Sequence, residues 1–205
     1  MAPRNRQGLY DPQDERDACG FGMVAQLDDQ PSRLLVDTAI AALSRMTHRG
    51  GVAADGLTGD GCGLLLRRPD AFLKAIAAEA GLRIGPRFAA GLVFLPHDAH
   101  AAAQCRAALE QQLCDAGCSP VGWRVVPIDD SVCGQLARDT LPAMEHLFVD
   151  AGEGQDEAAF TLALFLARRR FEQELRAHPD FYVTSLTPSA ISFKGMVLPD
   201  QLARF

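Results

Sequence analysis

The chain has 205 residues, 48% of them hydrophobic, and a formal charge of −6, enough apolar material to bury one sizeable core as a single domain. The acidic balance argues against nucleic acid or an anionic membrane as partner, because both select for clustered Lys and Arg. No window approaches the roughly 20 apolar residues that span a bilayer and the N-terminus lacks the apolar core of a secretory signal, so a cytoplasmic location is expected, with the six cysteines reduced.

Residues 1–18 carry prolines and many charges but only scattered apolar groups, and read as a leader. From Cys19 to Leu27 the apolar residues Phe21, Met23, Ala25 and Leu27 alternate with small or polar ones, which predicts a strand. After a turn at Asp28-Asp29-Gln30-Pro31, Ser32 is placed to cap a helix over 33–46, with Leu35, Val36, Ala39, Ile40, Leu43 and Met46 at helical spacing. Two glycine-rich stretches follow, Thr47-His48-Arg49-Gly50-Gly51 and Asp55-Gly56-Leu57-Thr58-Gly59-Asp60-Gly61-Cys62-Gly63, the second running into a short buried strand at Leu64-Leu65-Leu66. So much glycine predicts backbone held close to another segment or a ligand.

Beyond Pro69 the pattern predicts a helix at 70–80 stopped by Gly81, a strand at 88–95 closed by Pro96, a helix at 98–116 stopped by Gly117, and a strand at 121–128. Residues 135–150 mix apolar and polar groups around Pro142 and have no clear period. Asp156 to Leu175 is the strongest helix, with Phe160, Leu164, Ala167, Phe171 and Leu175 on one face; its Arg168-Arg169-Arg170 run, beside Glu172 and Glu174, reads as a solvated face. Residues 181–186 and 191–195 predict two strands joined as a hairpin, and 198–205 looks like the start of a further element. The alternation is an α/β or layered α+β signature.

Four groups of residues are candidates for chemistry. If the bond before Cys19 is cut, one residue carries both a thiol and a free α-amino group, a nucleophile and its base; from position alone, a buried small side chain is the better reading. Arg49 can fork onto a substrate carboxylate, or with His48 it can satisfy the last carbonyls of helix 33–46. The Thr58-Gly59-Asp60-Gly61 turn lacks the Lys-Ser/Thr of a phosphate loop and precedes a strand instead of following one, which favours a structural turn with a substrate-site role second. Cys105, Cys114 and Cys118, with His97 and His100 nearby, do not have a zinc spacing, so no metal is expected, and His146 and His178 have no partner pattern.

Taken in order, Gly8-Leu9-Tyr10-Asp11-Pro12, Glu15-Arg16-Asp17-Ala18-Cys19-Gly20-Phe21-Gly22, Leu43-Ser44-Arg45-Met46-Thr47-His48-Arg49-Gly50-Gly51, and Ala54-Asp55-Gly56-Leu57-Thr58-Gly59-Asp60-Gly61-Cys62-Gly63 resemble the N-terminal part of glutamate synthase large subunits; Phe181-Tyr182-Val183 and Phe193-Lys194-Gly195-Met196 are similar to that family as well. The resemblance implies a type-2 glutamine amidotransferase domain of the N-terminal-nucleophile hydrolase fold, an α+β, four-layer αββα sandwich, incomplete in this chain. It implies that 1–18 is a propeptide, that Cys19 becomes the first residue and attacks the L-glutamine amide, and that Arg49, Gly50 and Asp60 line or support the substrate pocket. No cofactor is then expected in this chain; FMN and an iron–sulfur cluster belong to downstream synthase domains, which receive the ammonia, with a small electron-donor subunit as a further partner.

The family's Arg-Phe-Ser-Thr and His-Asn-Gly-Glu motifs, which supply a substrate clamp and an oxyanion hole, do not occur in the 205 residues. They are expected beyond Phe205, and the chain alone is expected to be inactive. The alternatives are a non-catalytic structural or binding remnant of the domain, and a thiol or metal protein built on Cys105, Cys114 and Cys118.

Overall fold

A computed structural model describes residues 20–174 and 180–205. Their centre is a four-stranded antiparallel sheet built on β2 (Phe88–Leu95) and β4 (Ala143–Asp150), which pair from Phe88 opposite Asp150 to Leu95 opposite Ala143. Both strands are almost wholly buried because each is covered on both faces, as the near-continuous apolar run of β2 requires. β3 (Ser119–Val125) flanks β4 and the short β5 (Tyr182–Val183) flanks β2, giving the order β3-β4-β2-β5. β1 (Cys62–Arg67) and β6 (Ala190–Gly195) form a separate antiparallel pair.

Strand side chains alternate between faces, and the two faces of the large sheet meet different partners. Ala89, Val93 and Leu95 of β2 and Leu147 and Val149 of β4 pack under α3 (Ala99–Asp115) and α5 (Glu157–Glu174), together with the fully buried Leu109, Leu113, Phe160 and Phe171. Burial of each such side chain contributes about 1.5–3 kcal/mol, and Phe171 gains an edge-on contact with Phe181 at 4.5 Å. On the opposite face Phe88, Ala90 and Phe148 meet Ile191 and Phe193 of β6 and Leu73, Ile76 and Ala77 of α2 (Asp70–Glu79). The result is a mixed α/β sandwich: a helix layer, the large sheet, then the small sheet with α2. The first helix, α1 (Arg33–Ser44), has no fully buried residue.

Two polar features sit in these layers. Glu145 of β4 faces the helices and receives two bonds from Arg106 of α3, Nε to Oε2 at 2.9 Å and Nη2 to Oε1 at 2.5 Å. His146, the next residue, faces the small sheet. It is 1% exposed, its ring lies edge-on to Phe148 at 6.2 Å and Phe193 at 5.8 Å, and neither ring nitrogen has a hydrogen-bond partner among the described residues. Burial first, and the Arg124 charge second, push its pKa down to about 4, so the ring is neutral at physiological pH.

The helices predicted at 70–80, 98–116 and 156–175 appear with their ends moved by a residue or so, and Gly81 and Gly117 take the positive φ of +75° and +76° that ends a helix. Leu175 lies outside the described residues. Several expectations need correction. Residues 20–27 contain no strand; Phe21, Met23 and Leu27 are almost fully exposed and pair with nothing among the described residues. Ser32 has extended backbone at the start of α1 but its side chain makes no cap bond, and the helix stops at Ser44. The strand at 64–66 is longer and less buried than expected, with Leu65 72% exposed. Residues 181–186 and 191–195 are not a hairpin, because β5 joins β2 while β6 crosses to the other sheet and pairs with β1. The unread stretch 135–150 holds a short helix, α4 (Gln135–Asp139), and the central strand β4.

Candidate active site

Cys19 lies outside the described residues, and the site is built from the residue after it. A methyl group placed on Gly20 would stand 3.1 Å from Cβ and 3.5 Å from Nε of Arg49, so the backbone leaving Cys19 rests on the arginine side chain. Arg49 closes a 3₁₀ turn, Thr47–Arg49, that follows α1. The carbonyls at the end of α1 are taken by the Arg45 N–H, the Met46 N–H and the Thr47 hydroxyl. Among the described residues neither His48 nor Arg49 bonds them through its side chain, which removes the helix-end reading of these two residues.

Gly50 and Gly51 are held by Asp60. The Gly51 N–H donates to Asp60 Oδ2 at 2.8 Å and the Asp60 N–H returns to the Gly51 carbonyl at 3.2 Å. A methyl group on Gly50 would come within 3.0 Å of Asp60 Oδ1. Arg49, Gly50 and Asp60 are thus brought to one corner, with Gly20 against it. The crowding predicted for the glycine-rich turn comes from the chain itself: a Cβ on Gly59 would meet the Val197 carbonyl at 2.7 Å, and one on Gly63 the Phe193 carbonyl at 2.4 Å.

Asp60 and Gly61 also line a cleft of about 660 Å³, with Phe94, Met144 and Tyr182 from the large sheet and Lys194 from β6. Lys194 Nζ lies 4.7 Å above the Tyr182 ring. The cleft opens at the end of the sandwich where β2 and β6 finish, directly beside the Arg49–Asp60 corner.

Four of the five cysteines among the described residues are poor nucleophiles, because burial favours the protonated thiol. Burial first, then the Asp60 and Asp200 charges, push Cys62 up to about 11; burial, then the Cys114 sulfur, does the same to Cys118, and burial raises Cys105 and Cys133. Cys105 on the inner face of α3 and Cys118 just beyond its end are buried, and Cys114 is exposed. No group of three or more His, Cys, Asp or Glu converges among the described residues, and an iron–sulfur cluster finds no ligand set there.

The sequence reading passed over a polar junction behind the corner. The Asp55 carboxylate accepts from the Leu57 N–H at 3.0 Å, the Thr58 N–H at 2.8 Å, the Thr58 hydroxyl at 2.6 Å and the Leu136 N–H at 3.5 Å. These bonds, the Thr58 hydroxyl foremost, hold Asp55 far below the usual carboxylate range. The signal was present in the Asp55-Gly56 pair, since an Asp before Gly bonds its own backbone two residues on.

Comparison with known proteins shows the family. Residues 19–205 match the family described as glutamine amidotransferases class-II, and the chain belongs to that family. It is 40% identical over 202 residues to the glutamate synthase [NADPH] large chain of Azospirillum brasilense, covering 96% of this chain and 13% of that protein. It is 31% identical to the large chain from Bacillus subtilis, over 97% of this chain and 13% of the relative. With the ferredoxin-dependent glutamate synthase of Oryza sativa the identity is 34% over 93% of this chain and 12% of the relative. The chain therefore spans about an eighth of the length of these relatives. Among the described residues no helix is long and apolar enough to cross a membrane.

Proposed function

We propose that the chain is the nucleophile-bearing portion of the ammonia-releasing domain of a glutamate synthase, acting on L-glutamine. The observation that carries this reading is the family match beginning at Cys19, whose next residue packs on Arg49 at the Asp60 corner. With residues 1–18 removed as a propeptide, the α-amino group of Cys19 takes the thiol proton and the thiolate attacks the side-chain amide carbon. The C–N bond breaks, the leaving nitrogen takes the proton and departs as ammonia, and water then cleaves the thioester to give glutamate and restore the thiol. Arg49, Gly50 and Asp60 support the substrate pocket, and Arg49 is the group suited to a carboxylate. The ammonia passes to synthase domains that hold FMN and an iron–sulfur cluster, with a small electron-donor subunit as partner.

The absent Arg-Phe-Ser-Thr and His-Asn-Gly-Glu motifs decide what the 205 residues do alone. Removal of one oxyanion donor slows a hydrolase by about 100- to 1,000-fold, so the isolated chain releases no measurable ammonia from glutamine. Two measurements test the reading. Intact mass should show a species starting at Cys19, and glutamine turnover by the full polypeptide carrying this chain should vanish with Cys19→Ser. Turnover that survives the substitution would overturn it, and an unprocessed start at Met1 or Ala2 favours the non-catalytic reading.

A further inference from the structure

We infer that Asp55 and Thr58 are positioning residues that set Arg49 against the backbone following Cys19; this rests on the reading of Cys19 as nucleophile. Thr58 is 1% exposed, and its hydroxyl both donates and accepts. It donates to Asp55 Oδ2 at 2.6 Å and accepts from the Ala137 N–H of α4 at 3.3 Å. Asp55 bonds Leu136 of the same helix. The junction leaves no room for a side chain on Gly134, where a Cβ would stand 2.2 Å from Thr58 Oγ1 and 2.4 Å from Asp55 Oδ2.

From this junction the constraint reaches the site through short bonded steps. The Ala53 N–H donates to the Thr58 carbonyl at 2.8 Å, and Val52 pairs with Gly59. Gly51 and Asp60 then exchange their two bonds, which fixes Gly50 and the end of the Thr47–Arg49 turn. Gly20 lies on Arg49. A turn with this much glycine has little stiffness of its own, so its shape depends on the residues that pin it, and Asp55 and Thr58 pin it from outside the site.

The predicted consequence is electrostatic. A guanidinium near a thiol favours the thiolate, and Gly20, the residue bonded to Cys19, lies against the Arg49 side chain, so loosening the clamp should raise the pH at which Cys19 becomes reactive. The test is the pH profile of iodoacetamide alkylation in the chain released from residues 1–18, so that Cys19 carries its free α-amino group, resolved by peptide mass spectrometry. Exposed Cys114 serves as the reference thiol, and buried Cys105 and Cys133 report unfolding.

Thr58→Val should move the Cys19 midpoint up by about one pH unit, roughly tenfold slower alkylation below it, with Cys105 and Cys133 still protected. Thr58→Ser, which keeps both hydrogen-bond roles, should restore the wild-type profile. A Thr58→Val profile equal to wild type in a protected fold overturns the inference. Should Thr58→Val expose Cys105, the measurement passes to Asp55→Asn, which puts an amide donor in place of an acceptor; an unshifted profile there overturns it equally. A wild-type Cys19 no more reactive than Cys114 defeats the nucleophile reading itself, and the two failures are thereby distinguished.

Discussion

His146 makes the sandwich sensitive to acid. Its pKa falls from an ordinary 6.5 to about 4 in the folded chain, through burial first and Arg124 second. Arg124 stands opposite it on β3, Leu92 opposite it on β2, and β6 presents the Phe193 ring. Because the folded value is the lower one, the unfolded chain binds the proton first. The neutral ring's contribution is intact above pH 6.5 and is lost as pH falls towards 4. The difference corresponds to about 3 kcal/mol over the whole window and about 2 kcal/mol at pH 5. His146→Leu removes the titration while filling a similar volume between Phe148 and Phe193. Urea unfolding followed by circular dichroism at pH 7.5 and pH 5 should show the wild-type midpoint falling by about 1 M more than that of the variant, for a slope near 2 kcal/mol per M. Parallel falls in the two proteins would refute the reasoning, since His146 would then titrate alike in both states.

Two further outcomes follow from packing and charge. Arg106→Met leaves Glu145 charged under α3 with no partner; because the Arg106 side chain is 30% exposed, the cost should be about 2–3 kcal/mol, below the usual range for a fully buried pair. The double change Arg106→Met/Glu145→Met should unfold within about 1 kcal/mol of wild type, and a double variant as weak as the single one would contradict this account. Gly134→Ala should cost about 1–3 kcal/mol through overpacking against Thr58, read as a lower Tm, whereas Gly22→Ala, with open space around the added methyl, should leave Tm unchanged.

The sequence made the outer layers legible and the sheet connections less so. α3 and α5 were readable because one face of each must bury Leu109 and Leu113, or Phe160 and Phe171, at helical spacing. β2 was readable as a continuous apolar run between Arg87 and Pro96. β4 was not, because Glu145 and His146 interrupt its apolar run; each is accommodated by a partner far away in sequence, Arg106 for one and the Phe193 ring for the other. The hairpin expectation failed for a similar reason: a short connection between two strands suggests pairing, yet Gly91 lets the Ser185 carbonyl approach β2 closely and the chain then crosses between sheets. At the site, the structure places Arg49, Gly50 and Asp60 at one corner, while alternation at Phe21, Met23 and Leu27 did not produce a strand. Asp55 and Thr58 were quoted only as part of a motif, since their common contact with α4 is a tertiary fact that local pattern does not encode.

The glycine-rich turn also has a place in the order of folding. Gln201 donates its side-chain amide to the Leu57 carbonyl at 3.0 Å across a separation of 144 residues, and the Ser44 hydroxyl reaches the Pro199 carbonyl across 155. Closing such loops carries an entropy cost that grows with their length, and contacts this distant in sequence slow folding. During synthesis the segment 44–60 is made early but its last contacts arrive only with residues 197–201. The helix layer and β2–β4 can assemble before these contacts close, so the glycine-rich turn is tied down late, after most of the sandwich is already in place.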